Sequence, residues 1–375
     1  MNDTTYRPTW AEIDLGAVKR NLAGIRKRVP RGVSIMAVVK ANAYGHGLCP
    51  VSSSLVAEGV DYLGVATVDE ALTLRSAGFS VPVLVLGSVL AQEAEAAVKN
   101  DITLTLCTEK LLEELSRIAL ATGKRPRVHI KVDTGMGRIG VWHEKALDLI
   151  QRTWQCREIE LEGIYTHFSS AARDEMFTRT QISDFNRLLE QVDREDIELK
   201  YRHAANSIAI MDWKASHLNM VRPGILLYGV YPKRSFSREI HLDPVMELKT
   251  RIVYLKDTPP GRSISYGRTY ITQSPTRIAT IPIGYADGYG RILSNKAKAL
   301  VSGKPVRIVG MVTMDQTLLD VGRIDDLSVG DEVVLIGRQG DVEIRIEKVA
   351  KLAGTIPYEI LAAITDRVPR IYLEK

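Results

Sequence analysis

The sequence predicts an α/β protein in which an N-terminal (β/α)8 barrel, or TIM barrel, is followed by a mostly β C-terminal domain. Three observations lead to this fold class. Short β-branched runs alternate with longer amphipathic stretches between residues 33 and 224, helical periodicity largely disappears after about residue 240, and chemically capable side chains collect at the predicted strand ends. We therefore predict a barrel domain over residues 1–240 and a second domain over residues 241–375.

Eight runs in the first domain have the composition of buried parallel strands joined by crossover helices. They are SIMAVVK (34–40), YLGVA (62–66), VPVLVLG (81–87), ITLTLC (102–107), VHIKVD (128–133), LEGIYTHF (161–168), LKYRHA (199–204) and LNMVRPG (218–224). Because eight β/α units follow one another, a closed barrel is favoured over an open sheet.

The two ends of the chain lie outside the eightfold count. After about residue 240, short strands are separated by the turn signals DTPPG, SGK, SVGD and RQGD, which predicts a second, mostly β domain. The opening segment TWAEID precedes the first barrel helix, which we predict over residues 15–29. We therefore expect residues 1–14 to pair with the C-terminal domain.

Composition favours a cytoplasmic protein that acts on a small molecule. The chain has 50 basic and 45 acidic side chains, evenly spread, so its net charge of +5 indicates neither a nucleic-acid nor a membrane partner. Three scattered cysteines, Cys49, Cys107 and Cys156, predict neither a disulfide framework nor a paired zinc motif. The N-terminus has no basic run followed by an apolar core, as a secretory signal would.

Polar residues collect at the C-terminal ends of the predicted strands, where a barrel places its active site. Each of them alone is more often a structural or solvated residue, but a barrel without a site would carry polar groups at both ends without preference. Their concentration at one end therefore predicts an active site. They are Lys40 and Tyr44 after strand one, Lys131 and Arg138 at strand five, His167 after strand six, His203, Asn206 and Ser207 at strand seven, and Arg222 to Gly224 at strand eight.

The last two strand ends also suit a phosphate group. In such barrels the loops after strands seven and eight commonly bind phosphate through backbone N–H groups, and Ser207 and the amides of Gly224 and Ile225 lie there. Lys40 supplies an amine that can bond covalently to an electrophilic cofactor. A small phosphorylated cofactor is therefore predicted, and pyridoxal phosphate fits best.

Two other interpretations compete for the same residues. The segment GMGRIG (135–140) matches the dinucleotide-binding fingerprint, but it follows the fifth strand instead of opening the first β/α unit. A zinc site could use Lys131, His167 and His203. However, strand one has no His-x-His pair and strand eight carries Arg222 where a metal site needs a carboxylate. We expect no metal.

The ordered motifs closely resemble the alanine racemase family, and the similarity extends through nearly the whole chain. The motifs are AVVKANAYGHG (37–47), HIKVDTGMGRIG (129–140), YTHF (165–168), HAANS (203–207), RPGILLYG (222–229), SYG (265–267), IGYADGYGR (283–291), MDQ (314–316) and DRVPR (366–370). The resemblance implies interconversion of L-alanine and D-alanine, with pyridoxal 5'-phosphate as cofactor and a role in supplying D-alanine for peptidoglycan.

The resemblance also implies two catalytic bases. Lys40 corresponds to the lysine that holds the cofactor and acts on the α-proton of the D-enantiomer, and Tyr266 to the base for the L-enantiomer. Two bases are needed because one proton must leave one face of the planar carbanion while another arrives on the opposite face. In the family the tyrosine comes from the partner subunit, so a homodimer with shared active sites is implied.

The other site residues are carried over in the same way. Arg222 resembles the arginine that hydrogen-bonds the pyridine nitrogen, His167 the residue that orients it, and His203 a residue beside the cofactor ring. Arg138 and the backbone at Met314 resemble substrate-carboxylate contacts, and Tyr285 a tyrosine that narrows the entrance; a buried core tyrosine is its alternative. The phosphate positions are matched by Tyr44, Ser207, Gly224, Ile225 and Tyr358.

Lys131 could be carbamylated. An unmodified ammonium would add positive charge near Arg138, whereas a carbamate is anionic and can accept hydrogen bonds from it. The alternative is an ordinary surface pair between Lys131 and Asp133.

Two positions depart from the family pattern, and several functions stay open. Thr313 stands where cysteine is often found, and Pro357 removes a backbone N–H close to the phosphate positions. A racemase of another small amino acid such as serine, a pyridoxal-phosphate carrier protein and a barrel decarboxylase are the alternatives. A carrier would lack the β domain, so SYG and MDQ beyond residue 240 favour catalysis.

Overall fold

A computed structural model describes residues 6–233, 235, 236 and 239–375. Its N-terminal half alternates strands and helices. In chain order these are β1 (Thr9–Asp14), α1 (Leu15–Arg26), β2 (Ser34–Val38), α2 (Lys40–Tyr44), α3 (Leu48–Ala57), β3 (Tyr62–Val65), α4 (Val68–Ser76), β4 (Val83–Val85), α5 (Ala91–Lys99), β5 (Thr103–Leu106), α6 (Glu109–Thr122), β6 (Arg127–Asp133), β7 (Val141–Trp142), α7 (Ala146–Gln155), β8 (Glu160–Tyr165), α8 (Glu175–Arg194), β9 (Tyr201–Asn206), α9 (Ser207–Asp212) and β10 (Met220–Arg222).

Eight of these strands form a closed parallel barrel. The ring runs β2-β3-β4-β5-β6-β8-β9-β10, and the pairing of β10 with β2 closes it. Each predicted run overlaps one strand of the ring, which confirms the fold class. The boundaries differ at the functional ends: β2 ends at Val38 and β8 at Tyr165, so Lys40 and His167 lie in the turns just beyond their strands.

The C-terminal half is mostly β. Its elements are β11 (Met246–Arg251), β12 (Tyr254–Thr258), β13 (Ser263–Ile264), β14 (Tyr270–Ile271), β15 (Thr276–Ile281), β16 (Lys298–Val301), β17 (Lys304–Ile308), β18 (Thr317–Asp320), β19 (Glu332–Gln339), β20 (Val342–Ile344), α10 (Ile346–Ala353), α11 (Pro357–Ala363) and β21 (Arg370–Leu373). The main sheet has the order β12-β15-β18-β17-β16-β19-β11-β1-β21, and β20 pairs with β19.

The opening segment of the chain belongs to this second sheet. β1 lies between β11, to which it is antiparallel, and β21, to which it is parallel. The carboxylate of Asp14 at its end accepts a hydrogen bond from the backbone N–H of Ala17 and so caps α1, the first barrel helix. The chain thus passes directly from the β domain into the barrel.

The second domain also reaches the mouth of the barrel. A Cβ on Gly45, which follows α2 with φ of 83°, would overlap the carbonyl oxygen of Leu361 in α11. The ring of Tyr358, also in α11, lies 5.9 Å from that of Tyr44. Residues of both halves therefore meet beside the end of β2. None of the helices within the described ranges is both long and apolar enough to cross a membrane.

Candidate functional site

A cavity of about 550 Å³ lies at the C-terminal ends of the barrel strands. It brings together eleven of the residues that the sequence singled out: Lys40, Tyr44, Lys131, Arg138, His167, Asn206, Ser207, Arg222, Gly224, Ile225 and Tyr358. His203 is buried behind Arg222 and does not line it, and Tyr266, Met314 and Tyr285 lie elsewhere. The cavity is where barrel active sites form.

Lys40 enters the cavity from a left-handed turn. Residues 41–44 of α2 all have positive φ, between 53° and 54°, although none of them is glycine. This conformation costs roughly 1–2 kcal/mol per residue, so packing around the turn must hold it. The turn lets both Lys40 and Tyr44 line the cavity. Burial, reinforced by the charge of Arg138, lowers the pKa of Lys40, which increases the fraction of nucleophilic neutral amine.

A small polar cradle forms opposite the lysine. The backbone N–H of Gly224 donates to Ser207 Oγ at 2.9 Å. A Cβ on Gly224 would lie 2.5 Å from the hydroxyl oxygen of Tyr44, so only glycine allows this approach. Burial raises the pKa of Tyr44, and its hydroxyl therefore remains a proton donor. Asn206 caps α9 by accepting from the N–H groups of Ile208 and Ala209.

Both departures from the family pattern fit their surroundings. Pro357 is the first residue of α11, where an N–H would have no partner inside the helix, so the proline costs no helical hydrogen bond. The hydroxyl of Thr313 donates to the carbonyl of Gln316 and accepts from its N–H. Neither residue therefore disturbs the local backbone hydrogen bonding, although Pro357 lacks an N–H.

Arg222 is buried at the base of the cavity. Its Nη2 donates to the carbonyl oxygens of Thr166 at 2.7 Å and Ala204 at 3.0 Å, and lies 3.4 Å from Nδ1 of His167. Its Nη1 donates to Nδ1 of His203 at 2.8 Å. Burial lowers the pKa of Arg222 to about 10, which still leaves the guanidinium charged at neutral pH. The guanidinium is thus fixed by acceptors of several strands.

Tyr165, in the motif YTHF, contacts several of the predicted site residues, although the sequence did not indicate a role for it. Its ring stacks on that of His203 at 4.8 Å with an interplanar angle of 7°. The guanidinium of Arg222 lies 5.2 Å from the same ring, and the ammonium of Lys131 lies 5.5 Å from it. The only signal in the sequence was its position two residues before His167. Other lining residues that we did not predict are Val38, Ala41, Ala66, Leu86, Gly87, Ser88, Ile139, Ile208 and Ala362.

Lys131 and Asp133 do not form a surface ion pair, so that alternative is wrong. Both side chains are buried; Nζ of Lys131 donates to the carbonyl of Val132 at 2.7 Å, and no ion pair joins the two among the residues described. The Asp133 carboxylate instead accepts from the N–H groups of Gly135, Met136 and Gly137. Burial lowers the pKa of Lys131 to about 8.

These contacts also bear on the two competing interpretations of the sequence. The glycine-rich loop at residues 135–140 directs its N–H groups at Asp133, and β7 follows it, whereas a dinucleotide site needs those groups for phosphate and a helix after them. Over the described ranges, no three His, Cys, Asp or Glu side chains are grouped to hold a metal ion. Both ring nitrogens of His203 are already engaged, by Arg222 and His129.

Tyr266, Tyr285 and Met314 lie together on loops of the C-terminal domain. Their exposed fractions are 73%, 42% and 53%. The N–H of Tyr285 donates to the carbonyl of Thr313, and Ser265 Oγ donates to the carbonyl of Met311, which ties the three loops to one another. The alternative that Tyr285 is a buried core residue is therefore wrong. In a single chain, none of the three residues lines the cavity.

His46 supports the turn behind Tyr44. It is fully buried, its ring stacks on that of Tyr228 at 4.6 Å, and Nδ1 donates to the carbonyls of Ala43 and Tyr44 at 3.0 Å. Its Nε2 has no hydrogen-bond partner within the described part of the chain. Burial lowers the pKa of His46 to about 4, although the two backbone hydrogen bonds act in the opposite direction.

Comparisons with known proteins agree over the full length of the chain. Family models described as "Alanine racemase, N-terminal domain" and "Alanine racemase, C-terminal domain" match residues 13–232 and 245–372. An alanine racemase of Halothermothrix orenii is 47% identical over 376 residues, covering 100% of this chain and 99% of that protein.

Solved structures give the same result. An alanine racemase of Clostridium difficile 630 has a TM-score of 0.93 and 39% identity, covering 99% of this chain and 97% of its own. An alanine racemase of Bartonella henselae, solved with covalently bound pyridoxal phosphate, has a TM-score of 0.86 and 29% identity, covering 98% of this chain and 99% of its own. The likeness thus includes both halves of the fold.

We expect His46 to make the fold sensitive to acid. Its pKa is about 4 in the folded chain against 6.5 for the free side chain, so between these values the unfolded chain binds a proton that the folded chain does not. The free energy of unfolding should therefore fall by about 1.4 kcal/mol per pH unit for this group as the pH drops through that window. Denaturant titrations of His46→Phe should show a slope smaller by this amount.

The control is Tyr228→Phe, which removes the hydroxyl that donates to the carbonyl of Val38 beside the same stack. This substitution should lower stability at every pH and leave the slope between pH 6.5 and 4 intact. An unchanged slope in His46→Phe would contradict the assignment of this proton to His46.

Proposed function

The chain belongs to the alanine racemase family, and on that premise we propose that it interconverts L-alanine and D-alanine with pyridoxal 5'-phosphate as cofactor. Membership makes it an enzyme, an amino-acid racemase of the isomerase class. One observation carries the proposal: a single cavity holds a lysine of lowered pKa, a hydroxyl and glycine cradle, and a buried guanidinium. We also propose that the D-alanine supplies peptidoglycan.

The residues in the cavity fit this cofactor. Tyr44 and Gly224 approach each other so closely that a Cβ on Gly224 would block the contact. Together with Ser207, Ile225 and Tyr358, they would provide hydroxyl and amide donors suited to an anionic phosphate. Lys40 would hold the cofactor through Nζ, and Arg222 would face its pyridine nitrogen. A cavity of about 550 Å³ is within the usual size range for small-molecule sites.

When bound, pyridoxal phosphate supplies an electron-withdrawing ring system that accepts the electron pair left on Cα when its proton departs. The chain's own residues move the protons. Nζ of Lys40 would take or return the proton on one face of the substrate, and the hydroxyl of Tyr266 on the other. Arg138 would hold the substrate carboxylate through its guanidinium, with the backbone of Met314 on the same group. Tyr285 would narrow the entrance.

The exposed position of Tyr266 supports a shared site. An active base must reach its substrate, yet Tyr266 lies outside the cavity of its own chain with an exposed fraction of 73%. In a two-fold dimer, the same loop of each chain can enter the cavity of the other. We therefore propose a homodimer in which Tyr266, Met314 and Tyr285 complete the site of the partner.

Arg222 also bears on which reaction follows proton removal. A guanidinium that stays charged would disfavour protonation of the ring nitrogen that it faces, whereas a carboxylate in its place would favour that protonation and stronger electron withdrawal. A carbanion that is less stabilised is reprotonated sooner, which favours racemisation over transamination. His167, whose pKa burial and Arg222 hold well below its usual value, would stay neutral beside Arg222.

Lys131 is proposed to carry a carbamate. Its nitrogen would bond to the carbon of carbon dioxide and lose one proton, which requires the neutral amine, and a pKa of about 8 makes that form accessible near neutral pH. The product is an anion beside Arg138 and Arg222, the two cations whose charges act against an ammonium there.

Lys40→Ala tests the cofactor and the first base together. After borohydride reduction, the wild-type chain should retain the mass of the cofactor and the variant should not. In a chiral assay with L- and D-alanine, run with serine in parallel, the variant should lose racemisation by at least about a hundredfold, as expected for a general acid–base group. Lys145→Ala, at an exposed lysine, is the control and should behave as wild type. Covalent cofactor in Lys40→Ala, or wild-type protein inactive on alanine, would contradict the proposal.

Mixing two inactive variants tests the shared site. Tyr266→Phe should lower racemisation by at least about a hundredfold while it keeps the covalent cofactor. When Lys40→Ala and Tyr266→Phe chains are mixed in equal amounts, half of the dimers are mixed and one of their two sites holds both native bases. Activity should recover to about a quarter of the wild-type value. Mixed dimers that are demonstrated by mass and remain inactive would refute the partner's contribution.

Carbon-13 labelling tests the carbamate. Protein incubated with ¹³C-bicarbonate should give one carbamate carbon resonance that is absent from Lys131→Gln, and the resonance should strengthen as the pH rises through 8. A free amine at Lys131 at high bicarbonate and pH 9 would disprove this modification.

A further inference from the structure

We infer that Glu162, at the opposite end of the barrel from the cavity, is a positioning residue for Arg222 and acts through two buried histidines. The inference rests on the proposed function only in giving Arg222 its role at the cofactor. The contacts that carry it form one continuous hydrogen-bonded chain across the barrel interior.

The series of hydrogen bonds links side chains of four neighbouring strands. Arg222 of β10 bonds His203 of β9 at 2.8 Å, and Nε2 of His203 bonds Nδ1 of His129 of β6 at 2.8 Å. Nε2 of His129 then bonds Oε2 of Glu162 of β8 at 3.1 Å. All four side chains are at most 4% exposed. Gly163 makes room for this path, because a Cβ there would lie 3.2 Å from Cε1 of His129.

The donors and acceptors fix a single arrangement of protons. A guanidinium only donates, so Nδ1 of His203 must carry a lone pair, and its proton must be on Nε2 unless the ring is an anion. That proton is donated to Nδ1 of His129, which therefore also has a lone pair. His129 must then carry its proton on Nε2 and donate it to the carboxylate. Both histidines are neutral, and their N–H bonds point in the same direction.

Charge and burial agree with this arrangement. Burial lowers the pKa of both His129 and His203, with the charge of Arg222 adding to the effect. Burial alone would raise the pKa of Glu162, but hydrogen bonds from His129, Tyr62 and Lys200 outweigh it and lower the pKa to about 2. The carboxylate is therefore ionised, with the Tyr62 hydroxyl 2.7 Å from Oε2 and the ammonium of Lys200 3.2 Å from Oε1.

This arrangement explains how a buried guanidinium is held without a carboxylate beside it. Within the described ranges, no carboxylate forms an ion pair with Arg222. A neutral imidazole accepts more strongly at one nitrogen when its N–H donates towards an anion, because hydrogen bonds in a chain polarise one another. Glu162 thus strengthens the lone pair that His203 offers to Arg222, and it fixes the tautomers that make the lone pair available.

The test uses the full-length protein labelled with ¹⁵N-histidine, without and with cofactor. In the wild-type protein, ring nitrogen shifts should show His129 and His203 as neutral Nε2–H tautomers in both states. Glu162→Leu removes the acceptor, so His129 should lose this fixed tautomer. The kcat of the Glu162→Leu variant should fall at least tenfold, while its KM changes less than about threefold because the substrate contacts are untouched.

Glu162→Gln separates charge from hydrogen bonding and serves if the leucine variant does not fold. Its amide oxygen can accept from His129, so the tautomers should remain, the His129 nitrogen shifts should move, and kcat should fall less than in Glu162→Leu. Glu160→Gln and Glu160→Leu, on the same strand, are the matched controls and should leave shifts and kcat unchanged.

Wild-type tautomers and kcat in both Glu162 variants would overturn the inference, as would a charged His129 in the wild-type protein. If the wild-type protein does not racemise alanine, the proposed function fails, but the histidine shifts of the cofactor-free protein still decide the role of Glu162.

Discussion

The hydrogen bonds between β10 and β2 close the barrel, and the position of the site depends on them. Met220 pairs with Ser34 and Val221 with Ile35, and the N–H of Val38 donates to the carbonyl of Pro223 at 2.9 Å. This last bond lies two residues before Lys40 and one before Gly224. Closure therefore sets the distance between the lysine on one strand end and the phosphate cradle on the other, although they are far apart in sequence.

The barrel interior is unusual in holding charge where such barrels normally pack branched apolar side chains. Burying Arg222 and Glu162 is costly unless every donor and acceptor has a partner, since an unpaired buried charge destabilises a fold by several kcal/mol. Here the carbonyls of Thr166 and Ala204 and the two histidines supply those partners. These hydrogen bonds offset part of the cost of burial and hold the guanidinium in one position.

Much of the fold and part of the site could be predicted from sequence. The eight strands were found because β-branched runs are a local signal, and eleven of the residues predicted for the site lie in one cavity because parallel strand ends converge. The four left-handed residues after Lys40 could not be predicted, since none is glycine and tertiary packing holds them. The series of hydrogen bonds from Arg222 to Glu162 could not be predicted either, because the stagger of the strands in the closed barrel decides which inward-facing residues are in contact.

The residues proposed to act across a dimer could not be predicted from their own surroundings in the sequence. Tyr266, Met314 and Tyr285 were singled out only through the family resemblance, and in one chain they are exposed loop residues with no local feature that marks a base. Likewise, the burial of Lys131 was not foreseen, because its alternation with Asp133 on β6 is equally typical of a solvated strand end.

If two bases act on opposite faces of one substrate, as we propose, the proton removed by Tyr266 is not the one delivered by Lys40. Conversion of L-alanine in deuterium oxide, stopped before the product can react again, distinguishes this mechanism from one with a single base. We expect nearly every D-alanine molecule to carry deuterium at Cα. D-alanine that retains the original proton would show that a single group carries it between the two faces, and would refute the two-base mechanism.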